Sequence, residues 1–149
     1  MSDTYRATYT EIETGSIARD ILARITTSSK TKATVIGLSG ELGAGKTTLV
    51  QSLAVALGVA ERLVSPTFVI AKFYETKHDT FKQLIHIDAY RIESVDELVP
   101  LGFENILASP HTLVLIEWPE RIATAISSGA HFFQLDHEDN KRTIYEKNS

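Results

Sequence analysis

The sequence contains no cysteine, which excludes disulfide bonds, thiolate metal sites and cysteine nucleophiles. It also lacks any apolar run near the roughly 18 residues of a membrane-spanning helix, and its first residues show no signal-peptide core. Repeats, low-complexity stretches and linkers rich in proline, glycine or serine are missing as well. A chain of 149 residues without such features predicts one domain, residues 1–149, that is soluble and cytoplasmic with a frayed C-terminal end.

An excess of positive charge is absent too. Lysine and arginine number 15 against 19 aspartate and glutamate residues, which gives a net charge of −4. This balance argues against a protein whose main task is to bind a nucleic-acid backbone, although a local basic patch is compatible with it. Apolar residues make up 43% and charged residues 23% of the chain, so a folded core rather than disorder is expected.

Hydrophobic periodicity predicts a mixture of helices and strands. Helices are expected at residues 14–28, 46–57, 95–107 and 122–126, the third with a break at Pro100 and Gly102. Strands are expected at residues 33–39, 67–74, 82–87, 113–116, 131–135 and 142–145. The run at 33–39 is almost entirely apolar, which is typical of a strand covered on both faces. The pattern predicts an α/β fold with a mostly parallel central sheet and some antiparallel edge strands.

A glycine-rich loop starts at Gly40, between the first predicted strand and the helix at 46–57, and matches the P-loop pattern Gly-x-x-x-x-Gly-Lys-Ser/Thr in full. Its glycines let backbone N–H groups turn toward an anion, and the helix N-terminus adds further donors. Lys46 is then expected to bind the β- and γ-phosphates, and the Thr47 hydroxyl is expected to coordinate Mg²⁺. A chance glycine-rich turn is the alternative, which the flanking strand and helix disfavour. The nucleotide-binding residues predicted here are Glu41, Leu42, Gly43, Ala44, Gly45, Lys46, Thr47 and Thr48.

A P-loop site also needs a carboxylate at the end of a buried strand to hold the metal. Glu117 follows four apolar residues and is our candidate for the metal-side acid; a solvated acid at a strand end is the alternative. Asp88 ends a second apolar run that His86 interrupts, so pattern alone leaves it nearly even between a functional and a structural acid. If both acids lie near the γ-phosphate, Asp88 positions the attacking water or holds an outer contact.

Other polar residues give weaker signals. The turn at residues 65–68 could sense a γ-phosphate as a switch segment does, but an ordinary turn explains it as well. Arg91 and Arg121 each follow an acidic motif and could add charge at the transition state, although pairing with a surface carboxylate is the commoner role. The five histidines show no metal-ligand spacing and are interpreted as structural or exposed.

Taken together, these motifs resemble the bacterial TsaE (YjeE) family of small P-loop ATPases. The motifs that carry the resemblance are the loop from Gly40 to Thr48, Ser65-Pro-Thr-Phe68, His86-Ile-Asp-Ala-Tyr-Arg91 and Glu117-Trp-Pro-Glu120. The P-loop alone is generic, whereas its combination with the two acidic motifs is specific. The resemblance extends from about Glu11 to Arg142, nearly the whole chain.

The resemblance implies an ATPase that is weak alone and works with the partners TsaB and TsaD in tRNA threonylcarbamoyladenosine (t6A) biosynthesis. Contact with tRNA is then indirect, through the complex. The implied ligands are ATP and Mg²⁺, with Thr47 and Glu117 as metal ligands and with Lys46, Asp88 and Glu117 as the catalytic set. The family's N-terminal segment, which reaches the adenosine, corresponds loosely to the stretch from Glu11 to Thr14.

The sequence departs from the family pattern at two places. Glu41 stands where aspartate is usual, and Gln51-Ser52 replaces a basic residue followed by glycine, which bears on partner docking rather than on the ATP site. Two other functions are considered: a P-loop kinase of a small metabolite and a nucleotide-dependent switch. The kinase is disfavoured because the seven arginines are scattered and no segment looks like an arginine-rich lid. The switch is disfavoured by the two acids.

Overall fold

The computed structural model describes residues 4–26, 31–41, 44–63, 70–126 and 129–147. Within these ranges the strands are β1 (Arg6–Tyr9), β2 (Thr34–Ser39), β3 (Ala71–Glu75), β4 (Gln83–Asp88), β5 (Thr112–Glu117), β6 (His131–Glu138) and β7 (Lys141–Lys147). The α-helices are α1 (Thr14–Ile25), α2 (Lys46–Ala56) and α3 (Phe103–Leu107). Three 3-10 helices span Glu11–Glu13, Val95–Leu101 and Pro119–Ala125.

The strands form one mixed sheet in the order β1-β7-β6-β2-β5-β4-β3. The four central strands, β6, β2, β5 and β4, run parallel to one another. The edges are antiparallel: β3 pairs with β4 on one side, and β7 and β1 extend the sheet beyond β6 on the other. The predicted α/β fold with a mostly parallel centre and antiparallel edges is therefore confirmed.

Two hydrophobic layers cover the sheet, because alternate residues of each strand face opposite sides. Ile36 and Leu38 of β2 pack with the apolar residues of α1 and α2. Val35 instead packs on the other side with side chains from Val95–Leu101, α3 and Pro119–Ala125. This double cover explains why β2 and β5 are buried along their whole length. None of the helices in the described ranges has the length and apolar character needed to span a membrane.

Most elements lie where the sequence predicts them. The helix at 46–57 and the strands at 33–39, 82–87, 113–116, 131–135 and 142–145 are confirmed with shifts of a few residues at their ends. The break predicted in the third helix is confirmed at Gly102, which has φ 68° and separates the 3-10 helix Val95–Leu101 from α3. Pro100, the other predicted break point, lies inside that 3-10 helix. Residues 27–28 of the first predicted helix, residues 67–69 of the second predicted strand and the motif at 65–68 lie outside the described residues.

Two elements differ from the expectation. The sequence analysis does not predict β1, because the strand has only four residues and only Tyr9 among them is buried. The helix expected at 122–126 is a 3-10 helix that begins earlier, at Pro119, and is non-helical at Ile122. Its early start follows from Trp118, which takes a left-handed conformation with φ 59° and turns the chain, and from the proline at the first helical position.

Gly37 of β2 is the position at which the packing of the sheet is most directly testable. A β-carbon there would lie 2.7 Å from Cδ1 of Phe132 and 2.9 Å from two carbons of the rigid Pro119 ring. We expect Gly37→Ala to lower the free energy of unfolding by about 1–3 kcal/mol through overpacking. Urea denaturation of the purified variant measures this change.

The matched control is Gly15→Ala in α1, where the nearest atom to an added β-carbon is Nη1 of Arg19 at 3.6 Å. Alanine is the better helix former, so this variant should be more stable than the original chain by about 0.5–1 kcal/mol. Equal urea midpoints for the two variants would contradict the packing assigned to β2.

Candidate functional site

The ends of three parallel strands meet at one edge of the sheet. β2 ends at Ser39, β4 at Asp88 and β5 at Glu117. Asp88 and Glu117 are register partners, as are Leu38 and Glu117, so the two acids and the start of the glycine-rich loop are neighbours. Because ligands of open α/β sheets bind outside the carboxyl ends of the strands, this edge is the candidate site.

The glycine-rich loop connects β2 to α2 at this edge. Its described residues are Gly40 and Glu41 before the gap and Ala44 and Gly45 after it, while Leu42 and Gly43 lie outside the described residues. Gly45 precedes the first residue of α2 and has φ 96°, a conformation that glycine adopts without the strain of a β-carbon. The helix therefore begins with its free N–H groups turned toward the loop.

Lys46 occupies the centre of the site. Its side chain is only 6% exposed, and its Nζ donates a hydrogen bond to the Gly40 carbonyl oxygen at 2.5 Å. The ammonium group also lies 3.9 Å from the centroid of the Trp118 ring, in a cation–π contact. Burial lowers the pKa of Lys46, while the nearby carboxylates of Glu117, Glu120 and Asp88 raise it in the opposite direction. The Lys46 cation is therefore held between the first glycine of the loop and the Trp118 ring.

Glu117 is buried and pairs with a histidine. Its Oε2 lies 2.7 Å from Nε2 of His86, which is 2% exposed. Burial rules out the alternative that Glu117 is a solvated acid at a strand end. The sequence interpretation of the histidines missed His86 as a site residue. The available signal was its position two residues before Asp88, since strand residues at that spacing point to one face of the sheet.

Asp88 is partly exposed and held by its own turn. Its Oδ1 accepts a hydrogen bond from the backbone N–H of Tyr90 at 3.0 Å, which is the geometry of an Asx turn. The Tyr90 ring packs on Trp118 with 5.0 Å between centroids, and Cζ of Arg121 lies 6.0 Å from the Tyr90 centroid. The Tyr90 and Trp118 rings thus lie between Arg121 and Lys46. Arg91 is exposed.

Glu11 and Thr14 lie on the other flank of the loop. Thr14 is buried, and its hydroxyl donates to the Glu11 carbonyl oxygen at 2.7 Å. The Glu11 side chain is exposed, and its Oε1 lies 4.0 Å from Nη2 of Arg142. Arg142 in turn contacts the loop, since a β-carbon on Gly45 would lie 3.0 Å from its Nη1. The N-terminal segment is therefore connected to the loop through Arg142.

The remaining loop residues differ in exposure. Glu41 and Thr47 are exposed, Thr48 is partly buried and Ala44 is buried. Next to the loop, the Ser39 hydroxyl donates to Oε2 of Glu120 at 2.7 Å, which fixes the segment after Trp118 against the end of β2. The structure therefore brings Lys46, Asp88 and Glu117 to one side of the loop and Glu11 to the other.

This sheet and its glycine-rich loop define a protein of the P-loop fold. The family profile described as "Threonylcarbamoyl adenosine biosynthesis protein TsaE" matches residues 8–144. The chain belongs to the TsaE family, which takes part in the biosynthesis of threonylcarbamoyladenosine in tRNA. The resemblance found from the motifs is therefore confirmed.

Individual relatives agree with this assignment. The tRNA threonylcarbamoyladenosine biosynthesis protein TsaE of Streptomyces coelicolor is 42% identical over 87 residues, which are 58% of this chain and 57% of that protein. The protein of the same name from Synechocystis is 41% identical over 91 residues, 60% of this chain and 56% of that one. The matched region thus spans somewhat more than half the length of these relatives. The crystal structure of Bacillus subtilis YdiB superposes with a TM-score of 0.66 at 25% identity, covering 98% of this chain and 87% of that one.

The pairing of His86 with Glu117 makes a prediction about stability. In His86→Leu the buried carboxyl group loses its hydrogen-bond partner, and we expect the free energy of unfolding to fall by about 2–4 kcal/mol. The double variant His86→Leu/Glu117→Leu should lose less, because no unpaired buried carboxylate remains and Lys46 keeps its hydrogen bond to Gly40. Urea titrations of both proteins measure the difference.

His137→Leu provides the control, since His137 is exposed on β6 and its replacement should change stability by no more than about 0.5 kcal/mol. A double variant that is less stable than His86→Leu alone would show that the two side chains do not act as a pair.

Proposed function

We propose that this protein binds ATP with Mg²⁺ and hydrolyses it in the service of t6A modification of tRNA. It acts there with TsaB-like and TsaD-like partners in the cytoplasm, and it meets tRNA only through that complex. The observation that carries the proposal is the buried ammonium group of Lys46, which lies beside the loop within the influence of three carboxylates. A triphosphate would give this cation a stronger acceptor than the Gly40 carbonyl.

The proposed phosphate site combines two kinds of donor. Backbone N–H groups of the loop and of the first turn of α2 point toward the anion, and the helix dipole favours negative charge at that end. Lys46 adds a full charge to these partial charges, at the side of the loop nearest Glu117. The β- and γ-phosphates are therefore expected on the Lys46 side.

The residues present fit a nucleotide-bound Mg²⁺ ion. Within the described ranges, no cluster of three or more histidine, aspartate or glutamate side chains forms a metal site by itself. Mg²⁺ held with a nucleotide needs only one or two protein ligands, because phosphate oxygens and waters complete its coordination. The hydroxyl of the exposed Thr47 and Oε1 of Glu117, the oxygen that does not contact His86, would supply those ligands. The ion would neutralise charge that develops on the phosphates.

Asp88 is the proposed acid for hydrolysis. It lies beside Glu117 in the register of β4 and β5 but is more exposed, so water can reach it. The hydrogen bond from Tyr90 N–H to its Oδ1 fixes the orientation of the carboxylate. In this arrangement Glu117 would coordinate the metal and Asp88 would orient the attacking water.

Nucleotide binding can be followed through Trp118, the single tryptophan of the chain. ATP phosphates would draw the Lys46 ammonium group away from the indole ring, which it now contacts at 3.9 Å. We therefore expect the intrinsic fluorescence to change as Mg²⁺-ATP is added, and the titration gives the dissociation constant. Lys46→Ala should weaken binding by at least about 100-fold, since charge-assisted hydrogen bonds to two phosphates are lost.

Lys82→Ala is the control for the loss of a lysine, because Lys82 is exposed and donates to the His78 carbonyl oxygen at the opposite end of β4. It should bind Mg²⁺-ATP as the original chain does. Unchanged affinity in Lys46→Ala would remove the basis of the proposed site.

Hydrolysis is tested in the complete system. Phosphate release is measured for this protein alone and with TsaB, TsaD and substrate tRNA, where we expect partner-dependent turnover. Asp88→Asn should reduce turnover by at least about 100-fold while ATP binding changes little, because the amide keeps the shape of the side chain but loses its charge. Asp79→Asn, in an exposed turn between β3 and β4, controls for loss of a carboxylate.

Three outcomes would count against this proposal. Transfer of the γ-phosphate to a small molecule instead of water would indicate a kinase. Binding without turnover, even with the partners, would indicate a switch. Loss of binding in Asp88→Asn with unchanged turnover per bound ATP would make Asp88 a structural acid.

A further inference from the structure

Within the described residues, three buried side-chain polar atoms have no hydrogen-bond partner: Tyr9 Oη, His86 Nδ1 and Arg142 Nη1. His86 already makes its contact with Glu117 through the other ring nitrogen. Tyr9 and Arg142 are register partners on β1 and β7, so their side chains lie on the same face of the sheet. That face is the one covered by α1 and α2. The unpaired polar atoms therefore lie in two places, at His86 and at the Tyr9–Arg142 pair. At the second place Arg142 adds a permanent positive charge.

The position of Arg142 follows from the sheet topology. β6 runs parallel to β2, and β7 returns antiparallel to β6, so β7 begins at the edge where β2 ends. Arg142 is the second residue of β7, and its guanidinium packs on the last glycine of the loop. A β-carbon on Gly45 would lie 3.0 Å from Nη1 and 3.1 Å from Cζ. The cation therefore lies against the loop at the start of α2.

Arg142 and Lys46 approach the loop from opposite flanks. Lys46 lies on the β5 side, with Trp118 and the carboxylates. Arg142 lies on the β7 side, with Glu11. With the terminal phosphates and the metal on the β5 side, a nucleotide that extends toward β7 would bring its α-phosphate to that flank.

The contact with Glu11 does not explain why the charged Arg142 side chain is largely buried. Nη2 lies 4.0 Å from Oε1 of Glu11, at the limit of an ion pair, and the Glu11 side chain is 71% exposed. Pairs of this kind contribute little, because water competes for the exposed partner. The arginine side chain itself is only 14% exposed, and a buried charge with so weak a partner is an unusual use of arginine. The guanidinium group is well suited to phosphate oxygens, to which it donates in a fixed fork.

We propose that Arg142 is a nucleotide-binding residue, and that its Nη1 donates a hydrogen bond to the α-phosphate of bound ATP. This inference rests on the proposed function, since it needs ATP in the P-loop. It assigns the second cation of the site.

The test is calorimetric binding of ATP and of ADP, each with Mg²⁺, to the full chain and to Arg142→Met, which keeps the apolar stem and removes the charge. Both nucleotides carry the α-phosphate, so both affinities should fall by a similar factor, about 10- to 100-fold. Arg142→Lys keeps the charge without the fork and should recover part of the loss. Arg6→Met is the control: Arg6 lies at the other end of β1, over the Tyr145 ring, and its loss should leave both affinities unchanged.

Thermal unfolding without nucleotide separates binding from structure. Arg142 is largely buried and its Nη1 has no hydrogen-bond partner. Arg142→Met should therefore melt at or above the temperature of the original chain, while its stabilisation by Mg²⁺-ATP shrinks. A lower melting temperature without nucleotide, with the ATP-induced shift intact, would assign Arg142 a structural role and overturn the inference.

The binding outcomes distinguish this inference from the proposed function. If the original chain binds neither nucleotide, the proposed function fails and this inference fails with it. If the original chain binds both and Arg142→Met binds them equally well, only the role of Arg142 is wrong. If ATP affinity falls and ADP affinity does not, Arg142 contacts the γ-phosphate and the α-phosphate assignment is overturned.

Discussion

The burial of the Lys46 ammonium group constrains most of the surrounding geometry. Its hydrogen bond to Gly40 joins the two ends of the loop, and its contact with the Trp118 ring joins α2 to the chain that leaves β5. Desolvation disfavours a buried cation, so the site needs nearby acceptors and anions to keep the group charged. The charges of Glu117, Glu120 and Asp88 act in this direction, because they raise the pKa of Lys46 against the larger lowering effect of burial. The loop, the aromatic contact and the acids therefore form one interdependent unit.

The same unit explains why the backbone after β5 turns sharply. Trp118 adopts φ 59°, which is uncommon for a bulky residue and needs compensating contacts. Those contacts are the ladder bond from Trp118 N–H to the Leu38 carbonyl at 3.2 Å, the packing of its ring on Tyr90, and the hydrogen bond between Ser39 and Glu120. The turn places the indole face under Lys46 and keeps Glu117 buried at the strand end. The backbone strain thus occurs at the residue whose ring lies against Lys46 in the proposed nucleotide site.

The sequence predicted the parts of this site whose chemistry is local. The glycines, Lys46 and Thr47 are adjacent in the chain, and the apolar runs before Asp88 and Glu117 identify strand ends without knowledge of the partner strands. His86 and Arg142 were not identified from the sequence, because their positions at the site depend on how the strands pair. His86 contacts Glu117 across 31 residues of sequence, and in the sequence alone it only interrupts an apolar run. Arg142 reaches the loop only because β7 lies beside β6 and β1, and the edge strand β1 has too little apolar pattern to be recognised.

The acidic composition of the chain is compatible with an anionic ligand for a related reason. Charges at the exposed surface are screened by water and salt, so the net charge of −4 describes the protein at a distance rather than the interior of its site. Within the site, Lys46 and Arg142 are mostly buried, where the effective dielectric constant is low and a fixed charge acts strongly over a few ångströms. Two largely buried cations on opposite flanks of the loop, together with the N–H groups of α2, therefore make an anionic ligand compatible with a moderate surplus of surface carboxylates. Three acids act on Lys46, whereas the one acid near Arg142, Glu11, is largely exposed to water. The positive charge is therefore balanced by carboxylates near β5 and less so near β7. A ligand that carries a metal ion at one end of its phosphate chain and none at the other matches this asymmetry.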